Sequence, residues 1–84
     1  MGSTLQDQQI VSRFYQAVDA LYALGEIHRI RELERDMGVN HGNFYQQRKD
    51  FTRRTLRPSW LRHLVVVYGV SADWLLIGEG RMFR

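Results

Sequence analysis

Cysteine is absent from this 84-residue chain. Its absence excludes disulfides, thiolate chemistry and cysteine-ligated zinc, so the fold must be held together by packing alone. No window approaches the roughly 18 consecutive apolar residues that a membrane span needs, and the first residues lack the basic and apolar order of a signal peptide. We therefore expect a cytoplasmic protein without a membrane partner.

Motifs of catalysis and metal binding are also missing. The three histidines, His28, His41 and His63, lie far apart along the chain at spacings unlike those of metal ligands. The sequence contains no glycine-rich phosphate loop, no nucleophile elbow and no HExxH motif. We expect no enzymatic activity, no metal, no cofactor and no small-molecule substrate.

Proline occurs once, at Pro58, and glycines divide the chain into short segments. Within these segments apolar residues recur at spacings of three and four, which is typical of amphipathic helices. The predicted helices cover about residues 8–24, 29–37, 40–49, 58–68 and 71–78. The length suits one core, so we predict a flexible N-terminal arm over residues 1–8 and a single all-α domain of five helices over residues 9–84.

Two segments have a β alternative. The run Val65–Val67 would suit a strand, because branching at the β-carbon restricts side chains in helices. The helical spacing of the surrounding apolar residues and the following Gly69 favour a helix. The stretch Asn40–Asn43 would suit a turn between strands, but the flanking segments lack the alternation that strands require.

Charge is distributed unevenly along the chain, whose net charge is +3. Residues 1–39 carry four basic and six acidic side chains, whereas residues 40–84 carry eight basic and three acidic ones. The densest basic stretch, Arg48–Arg57, has five positive side chains and one acidic residue, Asp50. Phosphate is a natural partner of such a stretch, and a solvated loop is the alternative interpretation.

The second and third predicted helices are joined by the short turn Gly38-Val39-Asn40. Such a turn sets the second helix of the pair across the first, so that one face is available to a groove. The angle between them would be filled by Leu33, Met37, Val39 and Phe44. This pattern, together with the closing YGVSADWLLIGEGRMF, resembles the helix-turn-helix domains of phage repressors and Xre-type bacterial regulators over residues 9 to 83.

The resemblance implies a lambda-repressor-like fold and a sequence-specific transcriptional regulator, a phage or prophage repressor or its N-terminal module, that binds double-stranded DNA. A homodimer on a pseudo-palindromic site, with half-sites about one helical turn apart, is one expectation. Many members carry a further C-terminal domain, so the chain could be a fragment.

Two residues depart from the family pattern. Glu34 stands where members have a small residue, often alanine, and Gln47 stands where they have an apolar one. Glu34 could bend outward and leave its stem as packing surface, whereas a buried unpaired carboxylate would be costly. Both departures favour an alternative function, a helical adaptor that has lost DNA binding. Its protein-binding residues would be Trp60, Val66, Trp74 and Phe83.

The third predicted helix supplies the base-reading candidates. In this docking mode the tip and outward face of the helix contact base edges in the major groove. Gln46 is the first choice, because an amide can donate to and accept from one adenine at once. A solvated surface glutamine is the alternative. The full base-reading set is Asn40, His41, Asn43, Tyr45 and Gln46.

Basic residues around this helix are the phosphate candidates, and their role would be to position the protein rather than to read sequence. The predicted set is Arg31, Arg48, Lys49, Arg53 and Arg54. Arg57 and Arg62 rank behind them.

Overall fold

The computed structural model describes residues 4–50 and 56–84. Across these two ranges the chain forms five α-helices and no strand longer than one isolated bridge. The helices are α1 Leu5–Ala23, α2 Ile30–Met37, α3 His41–Lys49, α4 Pro58–Tyr68 and α5 Ala72–Ile77. The all-α class and the order of five helices are confirmed. Within the same ranges, no helix is long and apolar enough to cross a bilayer.

Helix α1 begins earlier than the sequence spacing predicted. The hydroxyl of Thr4 accepts a hydrogen bond from the backbone N–H of Asp7 (3.1 Å), and the Asp7 carboxylate accepts one from the N–H of Thr4 (3.2 Å). This capping box satisfies two backbone donors and starts the helix at Leu5. Residues 5–8 therefore belong to α1 rather than to the predicted arm, whose residues 1–3 lie outside the described part of the chain.

One apolar core joins the helices, and α1 is at its centre. Helix α1 packs against α4 and α5, while α2 packs against α3 and α4. Leu64 of α4 and Leu75 of α5 are both 0% exposed. Burying a leucine side chain contributes about 1.5–3 kcal/mol, so these contacts are a main source of stability. The fully or almost fully buried residues of α1 are Val11, Phe14, Tyr15, Ala17, Val18 and Leu21.

The valine run Val65–Val67 is helical, as the apolar spacing predicted. Pro58 occupies the first turn of α4, where its missing N–H leaves no helical hydrogen bond unmade. Val66 and Val67 lie on the outer face and are 57% and 58% exposed. The burial of Leu64 therefore decides the conformation of this segment over the strand preference of its valines.

The C-terminal tail folds back on the junction between α4 and α5. Val70 and Phe83 form an isolated antiparallel bridge, and the N–H of Ser71 donates to the carbonyl of Met82 (2.8 Å). Met82 and Phe83 are both half-buried against the core. The prediction that one of them packs onto the domain is confirmed.

Candidate nucleic-acid interface

The turn between α2 and α3 is fixed by the backbone. Gly38 has φ of 69°, in the left-handed region that favours glycine. The N–H of Val39 donates to the carbonyl of Glu34 (2.9 Å), and the N–H of Gly38 donates to that of Arg35 (3.2 Å). This pair of bonds is a Schellman motif, which ends α2 and redirects the chain. The predicted turn Gly38-Val39-Asn40 is confirmed.

Asn40 begins α3 as its N-cap. The side-chain oxygen of Asn40 accepts a hydrogen bond from the N–H of Asn43 at 3.2 Å. A Cβ added at Gly42 would stand 3.2 Å from that same oxygen, a tight contact. The glycine therefore leaves the cap oxygen unobstructed, which is a local reason for a glycine at this position. The sequence predicted this cap and the helix that follows it.

The inward face of α3 is anchored by an aromatic cluster. Phe44 is 2% exposed, as predicted for the single core anchor of this helix. Its ring centroid lies 5.1 Å from that of Tyr15 and 6.4 Å from that of Phe14, both on α1, in edge-to-face arrangements. Such pairs add to the stabilisation from burial alone. They hold α3 against the central helix.

Gln47, one of the two residues that depart from the pattern of the resembled domains, is a second inward residue of α3 and is 3% exposed. Its Oε1 accepts a hydrogen bond from the hydroxyl of Tyr15 at 2.7 Å. Burial raises the pKa of the Tyr15 hydroxyl, the nearby positive charge of Arg48 opposes the rise, and the negative charge of Glu34 adds to it. Tyr15 therefore stays protonated and remains a donor, so a buried polar pair replaces the expected apolar contact.

Glu34, the second departure, does not bend outward. It is 4% exposed, and both of its carboxylate oxygens lie 2.8 Å from Nδ1 of His41. The side chain of His41 is 60% exposed, so the contact joins a buried acid on α2 to the surface of α3. The buried carboxylate has a partner, which offsets the cost of removing it from water.

The predicted base-reading residues all lie on the exposed surface of α3 and its N-cap. All five are exposed to solvent: Asn40, His41, Asn43, Tyr45 and Gln46. The ring of Tyr45 is stacked beside that of His41, with centroids 6.4 Å apart, and the ammonium of Lys49 lies 4.5 Å from its centroid. One polar atom each of Asn40 and His41 is already used within the protein, as a cap and as the partner of Glu34.

The predicted phosphate residues fall into different settings. Arg31 is exposed in the first turn of α2, and Lys49 is exposed in the last turn of α3. Lys49 borders the surface that carries the base-reading candidates, because its ammonium lies over the ring of Tyr45. Arg53 and Arg54 lie outside the described residues.

Arg48 is half-buried and already has partners. Its guanidinium forms an ion pair with Asp19 of α1 and lies 5.9 Å from the ring centroid of Tyr15. This arrangement links the end of α3 to α1. Arg48 therefore has a structural role that its place in a basic run did not indicate.

Two grooves flank α3. One, of about 230 Å³, lies between the turn and the start of α4, and Arg57 and Trp60 line its far side. The other, of about 460 Å³, lies between α1, the start of α2 and α3, and includes His28 and Arg29. The proximity of His28 and Arg29 to α3 has no signal in the sequence, because only the tertiary fold brings them to this helix.

In the two described ranges, no group of three or more histidine, aspartate or glutamate side chains is placed to hold a metal ion. Comparison of the chain with models of known protein families, with curated proteins and with solved structures gives no match.

Proposed function

We propose that this protein is a sequence-specific transcriptional regulator of the phage-repressor type, without enzymatic activity, that inserts α3 into the major groove of double-stranded DNA. One observation carries the proposal. The inward face of α3 is fixed by Phe44 and Gln47, and its outward face presents polar and aromatic side chains. The major groove of B-DNA, about 12 Å wide, admits a helix presented in this way.

The side chains on that face have the chemistry of base recognition. Asn43 and Gln46 carry amides, which donate and accept at the same time and so match the N6 and N7 edge of adenine. A bidentate contact of this kind gives about 1–3 kcal/mol of discrimination against other bases. Gln46, in the second turn of an anchored helix, remains the first choice for such a contact.

The position of Arg31 supports a phosphate partner. A positive charge in the first turn of a helix opposes the helix dipole and costs a few tenths of a kcal/mol. Helix stability therefore does not explain Arg31, whereas a DNA phosphate beside it would. Lys49 is less informative, because the last turn of α3 is where the dipole favours a positive charge.

The proposal is tested by selecting bound sequences from a pool of random duplexes, followed by titration of the selected duplex at two salt concentrations. We expect Gln46→Ala to lose the preference at one base position while other positions are retained. Arg31→Ala should weaken binding equally on all duplexes and reduce the slope of log affinity against log salt by about one. Arg81→Ala, the same charge change in the exposed C-terminal tail, is the control and should change neither.

A chain that binds no duplex at either salt concentration would contradict the proposal. So would a selected sequence whose preference is unchanged at every position in Gln46→Ala and in an Asn43→Ala variant.

A second function, a helical adaptor for another protein, is favoured by one observation. Helices α4 and α5 leave large apolar side chains exposed, and one of them, Leu76, lines an apolar groove of about 370 Å³. These side chains are Val66, Val67, Leu76 and Ile77. Of the residues predicted for the adaptor surface, Val66 is exposed, whereas Trp60, Trp74 and Phe83 are half-buried against the core. Absence of duplex binding at both salt concentrations would leave the adaptor as the better proposal.

A further inference from the structure

We infer that Glu34 is a positioning residue that determines which hydrogen-bonding group of His41 is presented to a base pair. The inference rests on the proposed function and deepens it. It starts from the buried contact in which both oxygens of the Glu34 carboxylate lie 2.8 Å from Nδ1 of His41. Glu34 belongs to α2 and His41 is the first residue of α3, so the contact spans the turn between the two helices.

The chemistry of the two groups fixes the position of the ring proton. An ionised carboxylate can only accept hydrogen bonds, so Nδ1 of His41 must carry the hydrogen. In a neutral imidazole the other nitrogen, Nε2, is then an acceptor, because the tautomer is set by the hydrogen bond that one nitrogen makes. Within the described ranges, Nε2 of His41 has no hydrogen-bond partner. In the neutral ring, Glu34 thus turns an ambiguous side chain into one with a defined acceptor, Nε2.

The location of His41 gives that acceptor a ligand class. The side chain is 60% exposed at the N-terminal tip of α3, where base contacts in this docking mode concentrate. In the major groove the exocyclic amino groups of cytosine and adenine are the only base donors. The expected target of Nε2 is therefore a base pair that presents its amino group at the position of His41.

Packing alone does not explain why an acidic residue, Glu34, is buried at this position. Replacing a buried charged pair by apolar side chains of similar size is often neutral or stabilising, so the burial of position 34 does not by itself call for an acid. Glu34 is 4% exposed and gives up its hydration for a single mostly exposed partner. Orientation of His41 is what the carboxylate supplies and an apolar residue would not.

The first test needs no DNA. Nitrogen-15 NMR of the imidazole rings at pH 8 reports which ring nitrogen carries the proton in the wild-type chain and in two variants. We expect the proton on Nδ1 in the wild type and a shift toward Nε2 in Glu34→Ala. Glu34→Gln, whose amide oxygen can still accept, should keep the Nδ1 form. A wild-type ring with a proton on Nε2, or a pattern unchanged in Glu34→Ala, would overturn the inference.

The second test measures base preference with duplexes that differ at one base pair. A single hydrogen bond to a base is expected to give about 3- to 10-fold discrimination. His41→Ala should abolish this discrimination at one position, and Glu34→Ala should reduce it at the same position. Glu34→Ala should have no further effect in the His41→Ala background. Thermal melting of each variant shows that it is folded under the assay conditions.

The outcomes separate the two proposals. If the Glu34→Ala variant binds all duplexes more weakly by the same factor, with base preference unchanged, the inference is overturned and the proposed function stands. A wild-type chain that binds no duplex would overturn the proposed function, and the base-reading role of His41 with it, whatever the NMR pattern shows.

Discussion

The interior of this domain is built in two different ways on its two sides. Where α1 meets α4 and α5, the buried side chains are apolar, and Val11, Leu64 and Leu75 are at most 2% exposed. Helices α2 and α3 instead each bury one polar side chain, Glu34 and Gln47, and each of these is hydrogen-bonded to a residue of another helix. Apolar burial has no preferred direction, whereas hydrogen bonds do.

The two kinds of contact should therefore contribute differently to the fold. We expect apolar packing around α1 to supply most of the stability, and the polar contacts, together with Phe44, to set the rotation of α3 about its own axis. That rotation decides which side chains point outward. Substitutions on the two sides should therefore have effects that differ in size and in kind.

The largest effect is expected on the apolar side. Leu64→Ala should lower the free energy of unfolding by about 2–5 kcal/mol, because it removes buried surface and leaves a cavity. A domain of this size has a total stability on the order of 4–13 kcal/mol, so the loss would be a large share. Urea or guanidinium unfolding measures it. Val66→Ala, 57% exposed on the same helix, is the control and should stay within about 0.5 kcal/mol of the wild type. Equal effects of the two substitutions would show that α4 does not pack as described.

On the polar side, the effects of substitutions at Tyr15 and Gln47 on the free energy of unfolding should be coupled. Tyr15→Phe and Gln47→Leu should each cost about 1–3 kcal/mol, because each leaves a buried polar group without the 2.7 Å hydrogen bond between them. The double variant replaces both groups by apolar ones and should cost at least about 1 kcal/mol less than the sum of the single costs. A double-mutant cycle from denaturant unfolding measures this difference. Additive single effects would contradict a direct interaction of the two side chains.

High pH should lower the stability of the domain through the same buried hydroxyl, although the contact itself stays intact in the folded chain. Burial raises the pKa of Tyr15 above its ordinary value of 10.0. Above about pH 10 the unfolded chain therefore loses the hydroxyl proton while the folded chain keeps it, and the free energy of unfolding falls as pH rises. One such proton accounts for about 1.4 kcal/mol per pH unit.

Tyr15→Phe should show a shallower fall, measured by denaturant unfolding between pH 9 and pH 11. Tyr68, whose pKa burial also raises, is present in both chains and cancels in the comparison. Identical slopes in the two chains would contradict the buried position of the Tyr15 hydroxyl.

The smallest effect is expected at the ion pair between Arg48 and Asp19. Their side chains are 36% and 57% exposed, and exposed pairs contribute at most about 1 kcal/mol. Asp19→Asn should therefore lower the unfolding free energy by less than about 1 kcal/mol, and 1 M salt should remove most of the difference. Glu79→Gln, in the exposed tail, is the matched control. A loss above about 2 kcal/mol would mean that this pair is a main support of α3.

The sequence predicted the parts of this fold that depend on local chemistry. Asn40 caps α3, Gly38 ends α2 and Phe44 faces inward, because caps, left-handed glycines and apolar spacing act over a few residues. The early start of α1 was missed although its signal, Thr4 followed three residues later by Asp7, is present in the sequence.

The polar partners could not be predicted. Glu34 and His41 are seven residues apart across a turn, and Tyr15 and Gln47 are on helices separated by α2. Only the tertiary arrangement brings these side chains together. The sequence identified Glu34 and Gln47 as departures from the expected pattern, and the structure shows that each is buried with a hydrogen-bonding partner.

The central claim, that the outward face of α3 meets duplex DNA, is tested most directly by mapping backbone amide NMR shifts while a selected duplex is added. We expect the largest shifts over Asn40–Gln46 and at Arg31, with Val66 and Ile77 unchanged. Shifts confined to the exposed apolar face of α4 and α5, with α3 unaffected, would contradict it.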